Sequence, residues 1–135
     1  MLPLLNAIYS YFTSNSTLTT ALPGGLHRDQ AAEGTALPYA VSTVLASAIE
    51  YGYLGACRST VTIRFSIFGV GHDASGALAQ TFVSQFDDQL LTLGDGTTND
   101  SVTRLTDPTP KLHRHDASGN DVWEWQVEYE YGITL

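Results

Sequence analysis

The residues with the strongest chemical potential are His113-Arg114-His115-Asp116, because alternate side chains of a strand share a face and two histidines so placed can ligate one metal. Zinc needs a third and a fourth ligand, and the remaining histidines are His27 and His72, distant in sequence. Following Pro108 and Pro110, the stretch reads more simply as a polar loop. Glu128 and Glu130 are two residues apart, about 7 Å along a strand, which falls within the carboxylate spacing of an inverting glycosidase. Such enzymes need unlike surroundings that drive the two pKa values apart, whereas these glutamates share one acidic setting. A solvated acidic face costs only about 0.6 kcal/mol per pair at the dielectric of water. Cys57 has no histidine nearby and reads as a small packed hydrophobe. Tyr51 and Tyr53, flanked by glycines, suit either interface anchors or a cover folded over a sheet edge. No G-x-S-x-G, P-loop or G-x-G-x-x-G pattern occurs. The expectation is therefore a protein that is not an enzyme, with no cofactor and no metal.

The chain has 135 residues and 43 % apolar content, which suits one folded domain spanning 1–135. A net charge of −8 argues against a surface that grips nucleic acid, since that requires clustered cations. It is compatible with a surface past which DNA slides. A single cysteine permits no intrachain disulfide. The start M-L-P-L-L-N lacks a basic leader and a long apolar core, and no apolar run approaches the roughly 18 residues of a membrane span. A cytoplasmic setting without membrane contact is the expectation.

The elements that must position these residues are organised around Val122–Leu135. With a period of two, Trp123, Trp125, Val127, Tyr129, Tyr131 and Ile133 fall on one side, and Glu124, Gln126, Glu128 and Glu130 on the other. Ser59–Phe68 alternates likewise, with Val61, Ile63, Phe65 and Ile67 inward. Tyr39–Ala46 reads as a strand entered through Pro38, with Tyr39, Val41, Thr43 and Leu45 inward. Leu78, Phe82, Phe86 (or Val83) and Leu90 recur at steps of four over Asp73–Leu91, a helix capped by Asp73 or Ser75. Leu2–Thr13 forms a shorter helix carrying Leu5, Ile8 and Phe12. Residues 17–37 read as an irregular connection with one short strand at Leu26–Arg28; 50–58 and 93–100 read as loops, and 101–107 as a weak strand. The order α-β-β-α-β-β implies a two-layer α+β domain: a mainly antiparallel four-stranded sheet with two helices on one face. Its core holds Phe65, Phe82, Phe86, Trp123, Trp125, Val127 and Tyr129.

The amphipathic first helix, the segment Gly24–Val41 ending in L-P-Y-A-V, the alternating strand, the helix over 73–91 and the closing aromatic-acidic strand together resemble the tail-completion proteins of tailed bacteriophages, also called tail terminators or tail-to-head joining proteins. The Tyr/Gly segment at 50–58 and the tail Gly132–Leu135 depart from that pattern. The resemblance implies a structural virion protein of the phage neck or tail. It would form a homo-oligomeric ring, usually a hexamer, that caps the tail tube and joins it to the head-tail connector protein. Its partners would be itself, the tail tube protein and that connector, with DNA passing without specific binding. It would reside in the host cytoplasm during assembly and then in the virion. In such a ring the row Glu124, Glu128 and Glu130 would face the channel. Subunit or partner contacts would fall on edges and loops, at Tyr51, Tyr53, Leu54, Asp95 and Asn99. A head-side adaptor, a minor tail protein, and a small α+β binding or enzymatic domain are the alternatives. The face assignment makes its own test: Trp125→Ala should cost about 3–5 kcal/mol and Glu128→Gln close to nothing, measured by denaturant unfolding.

Overall fold

The computed structural model describes residues 2–53, 55–115 and 119–135. The elements run α1 (Leu2–Ser14), α2 (Ser16–Ala21), β1 (Leu26–Arg28), β2 (Tyr39–Gly52), β3 (Gly55–Val70), α3 (His72–Phe86), β4 (Thr98–Arg104), β5 (Thr109–His115) and β6 (Asp121–Thr134). The class is α+β, but the described residues form a six-stranded mixed sheet and three helices where the sequence suggested four strands and two helices. The strand order is β1-β2-β3-β6-β4, with β5 pairing β6 as well. β1 runs parallel to β2 and every other pairing is antiparallel. Along the edge of β6 away from β3, β4 covers residues 129–134 and β5 covers 121–126.

The register between β3 and β6 builds the core. Phe65 faces Val127, Ile63 faces Tyr129 and Val61 faces Tyr131, so the apolar sets of both strands share one sheet face. Onto it α3 lays Ala79, Phe82, Val83 and Phe86, all buried. Phe65 meets Phe82 and Phe86 at ring centroid distances of 4.9 and 5.1 Å. α1 adds Leu4, Ala7, Ile8 and Phe12, and α2 adds Leu18, to the same cluster. The Tyr11 hydroxyl donates to the Gln85 carbonyl at 2.6 Å, tying α1 to α3.

Several local expectations are corrected. Residues 16–21 are helical because Asn15 caps them, its side-chain oxygen accepting from the Leu18 amide at 3.1 Å. The segment 50–58 is not a loop: β2 and β3 continue as one hairpin to Gly52 and Gly55. Among its described residues Glu50, Tyr51, Gly52, Tyr53, Gly55 and Cys57 are exposed, so no one-sided burial imprints the sequence with a strand's period. The inward set of β2 is Ala40, Ser42 and Val44, opposite Ile67, Phe65 and Ile63; Tyr39 and Val41 point to the other face and Leu45 is exposed at a bulge. α3 starts at His72 after Gly71, with no side-chain cap, and stops at Phe86, leaving Leu90 exposed. Ser75 instead donates to the carbonyls of Gly71 and His72 and accepts from the Trp125 indole at 2.8 Å. Trp125 packs partly buried on the core, over Gly76, whereas Trp123 lies outside the core cluster, edge-on to His72 at 4.8 Å. The strand proposed at 101–107 begins and ends earlier, at Thr98 and Arg104, and residues 109–115 form β5. At Gly24 an added Cβ would strike the Ala36 and Pro38 carbonyls, so only glycine lets this turn approach β2.

Two buried tyrosines on β6 differ in their hydroxyls. Tyr129 donates to Asp87 at 2.7 Å, while Tyr131 has no hydrogen-bond partner among the described residues. Tyr129→Phe should therefore cost about 1–3 kcal/mol and Tyr131→Phe close to nothing. Burial raises both pKa values, the Asp87 carboxylate adding to the effect at Tyr129. Above a pH of about 10 the unfolded tyrosines lose protons that the folded ones keep, so stability should fall as pH rises there, and be untouched by these groups below it. Tyrosinate absorbance in an alkaline titration should show two phenols ionising only on unfolding.

Candidate assembly interface

The sheet face opposite the helices carries Arg64, Ser66 and Phe68 from β3 against Glu128, Gln126 and Glu124 from β6. The acidic row is real as a register, but its members differ. Glu124 is only 9 % exposed. Gln126 donates to its carboxylate at 2.6 Å, and the His113 ring of β5 stands 3.7 Å away. β5 and its bulge at His113 close over Glu124, so this carboxylate is set apart from the exposed acidity of the face. Glu128 is half-buried with Arg64 at 3.9 Å, and Glu130 is half-buried with no ion pair among the described residues. The surface acidity left on this face comes from Glu128 and Glu130.

The same face holds a small second cluster of Tyr39, Val41 and Phe68, with Ala31 and Leu37 folded over it. Tyr39 stacks on Phe68 at 4.9 Å and His113 meets Phe68 edge-on at 5.0 Å. Beside them lies a cavity of about 310 Å³ lined by Arg64, Ser66, His113, Glu124 and Gln126 among others. His115 turns instead to Asp121 at 2.7 Å, so the two histidines of β5 serve different carboxylates. No group of three or more His, Cys, Asp or Glu among the described residues could hold a metal ion.

The residues expected at interfaces separate sharply. Tyr51 is 74 % exposed and Tyr53 fully so, at the end of the β2–β3 hairpin. With Ile49 and Leu45 they make an exposed apolar arm. Leu54 lies outside the described residues. Asp95 is exposed in a turn where the Thr97 hydroxyl and amide donate to it and hold its carboxyl below the usual range. Asn99 is the correction, being 3 % exposed. Its side chain accepts from the Leu91 amide at 2.9 Å and donates to the Ser101 and Gly132 carbonyls at 2.9 and 3.0 Å. It is a structural bracket, not a contact residue.

Two features were missed from the sequence. One is the base of the arm, where Arg58 reaches Asp100 at 2.8 Å and Ser101 at 3.0 Å across Gly132. A Cβ at Gly132 would collide with that guanidinium. The Thr134 hydroxyl also donates to Asp100, and these partners, Thr134 foremost, hold its carboxyl below the usual range. The other is an open groove of about 640 Å³ between α1, α2 and β1, lined by Tyr9, Phe12, Leu22, Pro23, Leu26 and Arg28 among others. Its residues are scattered over 20 positions and carry no pattern that marks a concavity.

No protein-family model matches this chain, and no curated protein sequence does either. Solved structures do. A protein of the virion of a native gene transfer agent (GTA) particle shares its fold, with a TM-score of 0.65 at 12 % identity over 96 % of this chain and 93 % of that one. A second solved structure gives a TM-score of 0.53 at 12 % identity, covering 96 % and 91 %. At such identity the likeness establishes the fold.

Replacing Asn99 by Ala leaves the Leu91 amide and the Gly132 carbonyl without their buried partner. A loss of about 2–4 kcal/mol in urea unfolding is expected, far above the few tenths typical of a contact residue on a monomer surface.

Proposed function

We propose that this chain is a structural, non-catalytic virion protein of a tailed phage or phage-like particle, forming a homo-oligomeric ring of the tail-terminator type. The ring caps the tail tube, docks on the connector at the head and lets DNA pass through its channel. The observation that carries this reading is the fold shared almost end to end with a protein of a GTA virion. Three features of the chain support it. The arm exposes Leu45, Ile49, Tyr51 and Tyr53, an apolar strip that a lone monomer would leave in water. The outer edge of β2 beyond Ser42 has no strand paired to it among the described residues, and such edges offer amides and carbonyls to a neighbour. The net charge of −8, with Glu128 and Glu130 on the open sheet face, suits a channel wall that DNA phosphates do not stick to.

One observation favours a binding domain of another kind, namely the polar cavity around Arg64, His113 and Glu124. Sedimentation and native mass spectrometry of the purified chain, alone and mixed with tail tubes, separate the two. The ring reading expects a closed oligomer in at least one of these samples, visible as annuli or tube caps in electron micrographs. A monomer that also ignores tail tubes overturns it.

A further inference from the structure

We propose that the tip of the β2–β3 arm seats in the groove between α1, α2 and β1 of a neighbouring copy, joining subunits head to tail. This rests on the ring reading and names the surfaces that make the ring. The arm and the groove both present apolar surface. Ile49 and Tyr51 alternate onto one face of the ribbon, and Tyr53 lies at its tip. Ile49 lies on the exposed edge of the sheet. Past Glu50 and Arg58, where β6 ends, the arm is a two-stranded ribbon. Such a ribbon is marginal alone when wet on both faces, so the exposed Tyr51 and Tyr53 on it imply a cover. The groove offers one. Its volume of about 640 Å³ lies within the size range of ligand pockets, and Phe12, Leu22 and Leu26 form an apolar floor beside the exposed Tyr9.

Charge fits as well. The arm over 45–57 carries one carboxylate, Glu50, and no cation. The groove wall carries Arg28, held by Asn6 at 2.6 Å, and no carboxylate. In a chain with fourteen acidic and six basic residues, a groove lined by a cation and no carboxylate receives an acidic arm without repulsion.

Position makes the contact intermolecular. Arg28 of the groove pairs with Ser42, and about 33 Å of strand separates Ser42 from the arm end at Gly52. The knob and its socket thus sit at opposite ends of β2, and an arm cannot reach its own groove. Two different patches joined this way make a heterologous contact, which yields a ring when the rotation closes.

The test replaces Tyr53 by the photo-cross-linker p-benzoyl-phenylalanine in the full chain, mixing isotopically heavy and light copies. Heavy-to-light cross-links from position 53 to Tyr9 or to residues 19–28 are expected. Tyr9→Asp and Tyr53→Ser, both at exposed positions, should leave the far-ultraviolet dichroism unchanged yet weaken self-association about ten-fold or more. Arg28→Glu should weaken it by roughly two- to five-fold, with Glu50→Arg in the same chain restoring it. Rings whose cross-links run to β4, β5 or a second arm overturn this contact and leave the ring reading standing. A chain that stays monomeric at every concentration, alone and with tail tubes, and gives no intermolecular cross-link overturns both.

Discussion

The structure depends on the antiparallel pairing of β3 with β6 under α3. That register places Phe65, Ile63 and Val61 beside Val127, Tyr129 and Tyr131 on one face, where Phe82 and Phe86 close over them. Each buried ring removes on the order of 150–250 Å² from water, which makes this aromatic layer a large source of stabilisation. A slip of one residue would turn every ring to solvent and every glutamate inward, so the register is strongly specified. α1, α2 and β1 add to a core whose position is already set.

The same register fixes the other face without covering it. Alternation that sends Val127 and Tyr129 inward must send Gln126, Glu128 and Glu130 outward. Part of this face is closed by local means. Loop residues Ala31 and Leu37 sit on Tyr39 and Phe68, and β5 brings His113 against Glu124. The remainder, near Glu128 and Glu130, stays open and acidic, with Arg64 beside Glu128. The burial of Glu124 therefore comes from a neighbouring strand and cannot be read from the rhythm of β6.

What was legible in the sequence follows from where burial is one-sided. β3, β6, α1 and α3 each bury one face against water on the other, and each shows its period plainly. β5 buries no side chain, so T-P-K-L-H-R-H has no alternation to read and its prolines suggest a loop. α2 is six residues of Ser, Thr, Leu and Ala with only Leu18 buried, and it exists through its Asn15 cap and tertiary packing. β2 misled because Ala40 and Ser42 lie beneath the helices while the larger Tyr39 and Val41 serve the second cluster. Among the residues expected at interfaces, nothing in the sequence separates exposed Tyr51 and Tyr53 from buried Asn99. An asparagine in a turn-rich stretch gives no sign that three backbone groups converge on it.

The β2–β3 hairpin outruns the strand beside it, β6. The helices cover the sheet as far as Val61, Tyr131 and Ile133. There β2 from Leu45 to Glu50 is an exposed edge strand on β3. Only beyond Glu50 and Arg58 do β2 and β3 run on past β6 as a two-stranded ribbon to Gly52 and Gly55. A globular domain gains nothing from extending two strands past its own sheet, because their backbone order and their exposed Tyr51 and Tyr53 are unfavourable in water. Arg58 nonetheless clamps the base of that ribbon to Asp100 and Ser101, through a gap that only Gly132 leaves open. Rigid anchoring of a surplus apolar arm lowers the ordering cost of contacts made beyond the chain, which is what preorganisation for assembly means physically. In this molecule the core holds the sheet together, and the strand length that exceeds the core is available for neighbours.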